Sequence, residues 1–79
     1  MIEPSQIRAA RALLGWHQEE LAQRARIGLA TIQRLERARD GALMAHVSTV
    51  MKIIKCFEEA GIAFVRADQI GGIGVRKAK

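Results

Sequence analysis

Residues 18–37, which read QEELAQRARIGLATIQRLER, allow few folds because they contain two short helical patterns with almost nothing between them. In each pattern, apolar side chains recur at intervals of one, three or four residues, as on one side of a helix. These side chains are Leu21, Ala22 and Ala25 in the first pattern and Ile32 and Leu35 in the second. Only residues 26–28 separate the two, which is too short for an ordinary loop. We therefore predict two short helices joined by a tight turn, the second beginning near Gly28 or Leu29.

Further elements are predicted on both sides of this stretch. A first helix begins near Pro4, which suits a first helical turn, and ends before Gly15. A surface loop is predicted over residues 38–45, and then a helix that stops at Ala60 and Gly61. The apolar stripe predicted for this last helix consists of Val47, Val50, Met51, Ile54 and Phe57. Beyond Gly61, β-favouring residues on either side of a break predict two short strands. The fold class is therefore mainly α.

The length of 79 residues allows a single, modest hydrophobic core. Domains of this size usually need a disulfide, a metal or a partner subunit as well. Cys56 is the only cysteine, and His17 and His46 stand far from it, so neither a disulfide nor a metal site is predicted. The two histidines have no acid or nucleophile at a recognisable spacing. We therefore expect oligomerisation to support the fold, and we predict no cofactor and no enzymatic activity.

The balance of charge favours a polyanionic partner. The chain has 13 Lys and Arg against 8 Asp and Glu, a formal net charge of +5. Every basic residue up to Arg39 is an arginine, and the guanidinium fork matches phosphates and guanine edges. No signal peptide or membrane span is visible, and the single thiol fits a reducing compartment, so we expect a cytoplasmic protein.

Residues 18–37 resemble the helix-turn-helix of the phage-repressor-like family, also called the XRE or Cro/C1 type. The residues that carry the resemblance are Gln18, Leu21, Ala22, Ile27, Thr31, Ile32, Leu35 and Glu36. The resemblance covers about the first sixty residues. It implies a lambda-repressor-like DNA-binding domain of four or five helices over residues 1–61. Residues 62–79 then form a C-terminal extension, either a β-hairpin or a strand pair.

A helix that enters the major groove must leave one of its faces uncovered. Helical geometry predicts that the uncovered positions are Gly28, Leu29, Ala30, Gln33, Arg34 and Arg37, and the resemblance adds Thr31 to the DNA-binding set. Gln33 can pair bidentately with adenine, Arg34 with guanine, and the apolar Leu29 or Ala30 can meet a thymine methyl group. An ordinary solvated helix face is the alternative interpretation of Gln33 and Arg34.

Other residues are predicted to bind the DNA backbone, and such contacts position a protein without reading sequence. The resemblance assigns Gln18, at the start of the second helix, to a phosphate. Arg37 and Arg39 are placed to hold the backbone further along. The resemblance also pairs Arg11 with Glu36, which would orient Arg11 toward DNA, and such a pair contributes about 0–1 kcal/mol if it is exposed.

Three residues depart from the family pattern. Arg26 stands where the family usually has glycine, and it is strained if the turn keeps a positive φ. Gly28 replaces the usual Ser or Thr cap, and Leu29 is apolar where polar base-readers are common.

Together these features predict a dimeric prokaryotic or phage-type transcriptional regulator that binds an inverted repeat in double-stranded DNA. We expect a repressor rather than an activator. We predict that residues 62–66 and 73–77 pair across the two-fold axis of a homodimer. The residues assigned to the dimer contact are Phe57, Ile62, Phe64, Val65, Ile73 and Val75.

Two alternatives stay open at this point. An antitoxin would keep the DNA-binding module and use the tail to hold a toxin. A protein-interaction module would use the helix-turn-helix only as a scaffold, an interpretation that Leu29 and the missing cap favour slightly. RNA binding is less consistent with the sequence, which has no tyrosine and no aromatic pair for stacking.

Overall fold

The computed structural model describes residues 2–41 and 45–78, and within them the chain forms four helices followed by a two-stranded sheet. The elements in order are α1 (Pro4–Leu14), α2 (Gln18–Ala25), α3 (Leu29–Arg37), α4 (Val47–Glu59), β1 (Ile62–Val65) and β2 (Gly74–Lys77). The predicted mainly α class with a C-terminal hairpin is confirmed. Within the predicted loop, residues 42–44 lie outside the described part of the chain.

The helix ends fall at residues whose backbone preferences explain them. Pro4 opens α1, where its missing N–H is not needed. Gly15 follows α1 at φ 68° and Gly61 follows α4 at φ 92°, conformations that glycine adopts without steric cost. These two glycines therefore end the first and last helices where the sequence predicts.

The buried apolar residues form one continuous core to which every helix and β1 contribute. Its members are Ile2, Ile7, Ala10, Leu21, Ala22, Ala25, Ile32, Leu35, Val50, Ile53, Phe57 and Ile62. In this arrangement α2 packs against α3 and α4, while α1 packs against α3 and β2. The phenyl ring of Phe57, at the centre, stacks on Trp16 with centroids 5.6 Å apart and meets Phe64 edge to face at 6.0 Å.

The predicted inward stripe of α4 is only partly right. Val50 and Phe57 are buried, but the third inward residue is Ile53, which the sequence-based stripe omits. Val47 is 65% exposed and Met51 is 49% exposed. Because α4 contacts α2 and β1 along the line through Val50, Ile53 and Phe57, the other two side chains fall on the open side of the helix.

The predicted pairing of the two strands across a two-fold axis is replaced by pairing within one chain. Strands β1 and β2 are antiparallel neighbours, with Ile62 opposite Lys77 and Val65 opposite Gly74. Phe57 and Ile62, which were assigned to the dimer contact, are buried in the chain's own core. A short hairpin is barely stable alone, and packing on the helices supplies the support that it needs.

The start of α1 fastens this hairpin to the helices. The buried Gln6 side chain donates its amide N–H groups to the carbonyls of Gly74 (2.9 Å) and Val65 (3.3 Å), and its Oε1 accepts the N–H of Glu3 at 2.8 Å. Ile62 also belongs to the core. Among the described residues, no helix has the length and apolar character needed to cross a membrane.

Candidate nucleic-acid interface

The turn between α2 and α3 closes with two backbone hydrogen bonds. The N–H of Ile27 donates to the carbonyl of Ala22 at 3.0 Å, and the N–H of Arg26 donates to that of Gln23 at 3.3 Å. This is the Schellman arrangement, which requires a left-handed residue just after the helix. Arg26 occupies that position at φ 58° and ψ 48°, so the chain keeps the turn despite lacking glycine there.

Helix α3 has one covered side and one open side. Ile32 and Leu35 are buried in the core, and Glu36 is buried against α1. Of the residues predicted to meet DNA, Gly28, Ala30, Arg34 and Arg37 are exposed, and Leu29, Thr31 and Gln33 are partly exposed. The structure therefore brings the predicted α3 residues together on accessible surface, and Leu29 also packs against the edge of the core.

The buried carboxylate of Glu36 ties α3 to α1 and α2. Arg11 binds it with a two-pronged ion pair, Nε to Oε2 and Nη2 to Oε1, both at 2.7 Å. Gln18 donates its Nε2 to the same Oε1 at 3.2 Å. The third nitrogen of Arg11, Nη1, donates to the carbonyl of Trp16 at 2.9 Å. These contacts fix the end of α3 relative to both preceding helices.

Burial changes the free energy that is lost when the Arg11–Glu36 pair is broken. The Glu36 side chain is 3% exposed, so the pair is not the weak surface contact for which 0–1 kcal/mol applies. The hydrogen bonds to Glu36 raise the pKa of Arg11, an effect that burial partly offsets. Removing one partner would leave a buried charge without compensation, which typically costs about 3–5 kcal/mol.

Arg8 is a second residue that holds α3 in place, and it was not predicted from the sequence. Its Nη1 donates to the backbone carbonyl of Glu36, in the last turn of α3. Carbonyls at a helix C-terminus have no partner within the helix. A cation there also interacts favourably with the negative end of the helix dipole. Arg8 lies three residues before Arg11 and so shares its face of α1, a spacing that could have revealed it.

The residues predicted to bind the DNA backbone belong to the first turn of α2 and to the end of α3 and the residues after it. Gln18 is the first residue of α2, and its amide retains one further N–H group besides the one given to Glu36. Arg37 ends α3 and Arg39 follows it, and both are exposed. Arg24 is otherwise engaged, since its guanidinium covers the Trp16 ring at 4.7 Å and pairs with Glu20 at 3.0 Å.

A cleft of about 470 Å³ lies between α3 and the beginning of α4. Its walls are Thr31, Arg34, Ala45, His46 and Thr49. His46 directly precedes α4, where the positive end of the helix dipole lies. The sequence alone assigns no role to His46 or Thr49, because nothing in their local pattern shows that they adjoin α3.

Comparison with known proteins supports the same interpretation. A search of curated proteins found no match. A family model described as helix-turn-helix matches residues 7–58, which is more than half of the chain and includes α2, the turn and α3. The chain therefore belongs to the XRE, or Cro/C1-type, helix-turn-helix family of DNA-binding regulators.

Proposed function

We propose that this protein is a sequence-specific repressor that binds double-stranded DNA as a homodimer, with α3 of each copy in the major groove. The observation that carries the proposal is the asymmetry of α3. Its back is fixed by Ile32, Leu35 and the Glu36 contacts, while its other side is accessible. A groove-reading helix must be rigidly mounted and uncovered, because bidentate base contacts tolerate little misplacement.

Two side chains of α3 are assigned to base edges. Gln33 has an amide that can both donate to and accept from adenine, and the fork of Arg34 matches the O6 and N7 atoms of guanine. Leu29 and Ala30 supply apolar contacts for thymine methyl groups, and Gly28 and Thr31 lie beside them at the start of α3. Each well-formed bidentate contact discriminates between bases by about 1–3 kcal/mol.

Phosphate contacts are assigned to Gln18, Arg37 and Arg39. The first turn of α2 presents backbone N–H groups beside Gln18, and no side-chain cap occupies them in the described part of the chain. Arg11 acts differently, because three of its N–H groups already hold Glu36 and Trp16. We assign Arg11 mainly to positioning α3, with its remaining N–H groups available to a phosphate.

A dimer follows from the limited reach of one helix, which contacts only a few base pairs. Two-fold symmetry then matches an inverted repeat, with half-sites about 34 Å apart, one turn of DNA. Occupying such a site excludes other proteins from it, which is sufficient for repression.

Selection from a random duplex library tests the sequence-reading claim. We expect an inverted motif with half-sites spaced by about one helical turn. Fluorescence anisotropy with the selected duplex then compares Gln33→Ala and Arg34→Ala with the control Arg76→Ala, an exposed arginine on β2. Each α3 variant should lose about 5- to 150-fold in affinity and relax selectivity at one base position, whereas the control should bind as the parent does.

Two results would contradict the proposal. One is a selection that yields no enriched motif although the protein is folded. The other is an equal loss of affinity for all three variants, because that outcome would reflect general charge rather than contact by α3. Thermal unfolding of every variant, monitored by circular dichroism, separates these results from misfolding.

A further inference from the structure

A groove of about 640 Å³ lies away from α2 and α3, between α4, the hairpin and the N-terminal segment. Its apolar lining consists of Ile2, Ile54, Phe64, Val65 and Ile73. Ile73 is among the exposed large hydrophobic residues of the molecule. None of the residues that line the groove belongs to the DNA-reading helices, so the proposed recognition surface does not account for it.

The turn between β1 and β2 presents a large apolar side chain beside this groove. Ile70 is 97% exposed and does not line the groove of its own chain. Its backbone is nevertheless held in place: Oδ1 of Asp68 accepts the N–H groups of Ile70 at 2.8 Å and Gly71 at 2.9 Å. The N–H of Asp68 also donates to the carbonyl of Gly71 at 2.9 Å. Because the turn is already ordered, inserting Ile70 into a pocket costs little conformational entropy.

The position of the groove determines which partner suits this side chain. Arg66, Ala67 and Ile73 line the groove and also flank the turn that carries Ile70. A two-fold axis close to the hairpin therefore brings the turn of each copy near the groove of the other. In such an isologous contact, every residue pair occurs twice.

One charge on the groove wall is complementary to a charge on the turn. The groove lining includes Arg66 and, on α4, Glu58, and Asp68 stands beside Ile70. The two backbone N–H groups that Asp68 accepts lower the pKa of its carboxyl group. An isologous contact made by the turn and the groove would pair the Asp68 of each turn with the Arg66 that lines the opposite groove.

We propose that two copies of this chain associate by reciprocal insertion of the Ile70 turn of each into the Ile54–Phe64–Ile73 groove of the other. This inference deepens the proposed function, because it assigns the surface of the dimer. It does not require DNA, since both parts of the contact lie outside α2 and α3. Of the residues predicted for dimerisation, it retains Phe64, Val65 and Ile73. It replaces Phe57 and Ile62, which are buried, and Val75, which packs against the core and does not line the groove, by Ile54 and Ile70.

Sedimentation equilibrium without DNA tests the inserted side chain. The parent chain should be dimeric at micromolar concentration, and Ile70→Lys should dissociate about a thousandfold more readily and so be monomeric there, as expected when two central apolar anchors, one from each copy, are lost. Val47→Lys is the matched control, because it places the same charge on an exposed apolar residue outside the groove. The control should remain dimeric. Because Ile70 is exposed, the thermal unfolding of Ile70→Lys should stay close to that of the parent.

A mixing experiment tests whether insertion is reciprocal. Ile73→Asp damages the groove but keeps Ile70, whereas Ile70→Lys keeps the groove but loses the inserted residue. Each variant alone should be monomeric. An equimolar mixture should recover a heterodimer, because one of the two contacts is intact and the other sets the introduced lysine against the introduced aspartate.

Any of three results from these two experiments would overturn the proposal. They are a monomeric parent chain, an Ile70→Lys chain that is as dimeric as the parent, and a mixture that remains monomeric at tenfold higher concentration. A parent chain that purifies with a protein of different sequence, released by Ile70→Lys, would instead assign the groove to that partner and overturn the self-association. Binding of Ile70→Lys to a half-site duplex is measured in parallel. Retained half-site binding with any of these results would show that the dimer surface is wrong and DNA recognition is right.

Discussion

Arg26 carries a backbone conformation that its side chain disfavours. A non-glycine residue in the left-handed region costs about 1–2 kcal/mol relative to a right-handed one. The turn keeps this conformation because two hydrogen bonds and the packing of α2 against α3 over-determine it. Strain at one residue is therefore compensated by contacts made by its neighbours.

Relieving this strain should stabilise the protein. We expect Arg26→Gly to raise the free energy of unfolding by about 0.5–1 kcal/mol, since the relief exceeds the extra entropy that glycine gives the unfolded chain. The melting temperature should rise by about 3–6 °C, measured by circular dichroism. Arg39→Gly is the control, because Arg39 has no positive φ and gains nothing. A melting temperature that is unchanged or lower in Arg26→Gly would contradict the strain argument.

Glu36 links three helices through a single carboxylate. Glu36→Gln keeps the shape of the side chain but removes the charge that balances Arg11. Because Arg11 remains 20% exposed, we expect a loss of about 2–3 kcal/mol, somewhat below the range for fully buried pairs. Urea denaturation measures the loss. Glu20→Gln, which breaks the exposed pair with Arg24, should cost less than about 1 kcal/mol. Equal losses in the two variants would show that burial does not strengthen the Glu36 contacts.

Helix α4 shows what periodicity can and cannot predict at the scale of an element. Its bounds follow from the apolar pattern and from Gly61. The periodicity does not predict which face of α4 points inward, because apolar residues occupy most sides of the helix and no period distinguishes Met51 from Ile53. Only the positions of α2 and β1 decide which of them is covered. In contrast, every residue of α3 after Ala30 except Ile32 and Leu35 is polar, so its inward face could be predicted.

The burial difference on α4 can be measured directly. Ile53→Ala deletes a fully buried side chain and should cost about 2–4 kcal/mol of stability, through lost transfer energy and the cavity left behind. Met51→Ala removes the same number of non-hydrogen atoms from a side chain that is half exposed, and should cost less than about 1 kcal/mol. Chemical denaturation of both variants provides the comparison. Similar losses would place the two residues in equivalent surroundings and contradict the observed face.

At the scale of the whole molecule, sequence reasoning identified the family and the α3 surface but not the arrangement around residues 62–79. The helix-turn-helix is encoded locally, by residues within a twenty-residue stretch. The anchoring of the hairpin by Gln6 joins residues almost sixty or more positions apart, and no local pattern predicts it. The same holds for the groove, whose lining comes from α4, the hairpin and the N-terminal segment.

The distribution of arginines over the whole surface predicts how binding responds to salt. Each phosphate that a basic side chain neutralises releases counterions and contributes about 0.9 to the slope of log affinity against log salt on duplex DNA. Arg37→Ala and Arg39→Ala should therefore each lower the slope by about one and weaken all duplexes alike, as contacts that position without reading do. Arg34→Ala should instead change base preference most. Lys55→Ala, on the exposed side of α4, should leave the slope unchanged. An equal drop in slope in that variant would instead assign the salt dependence to net charge alone.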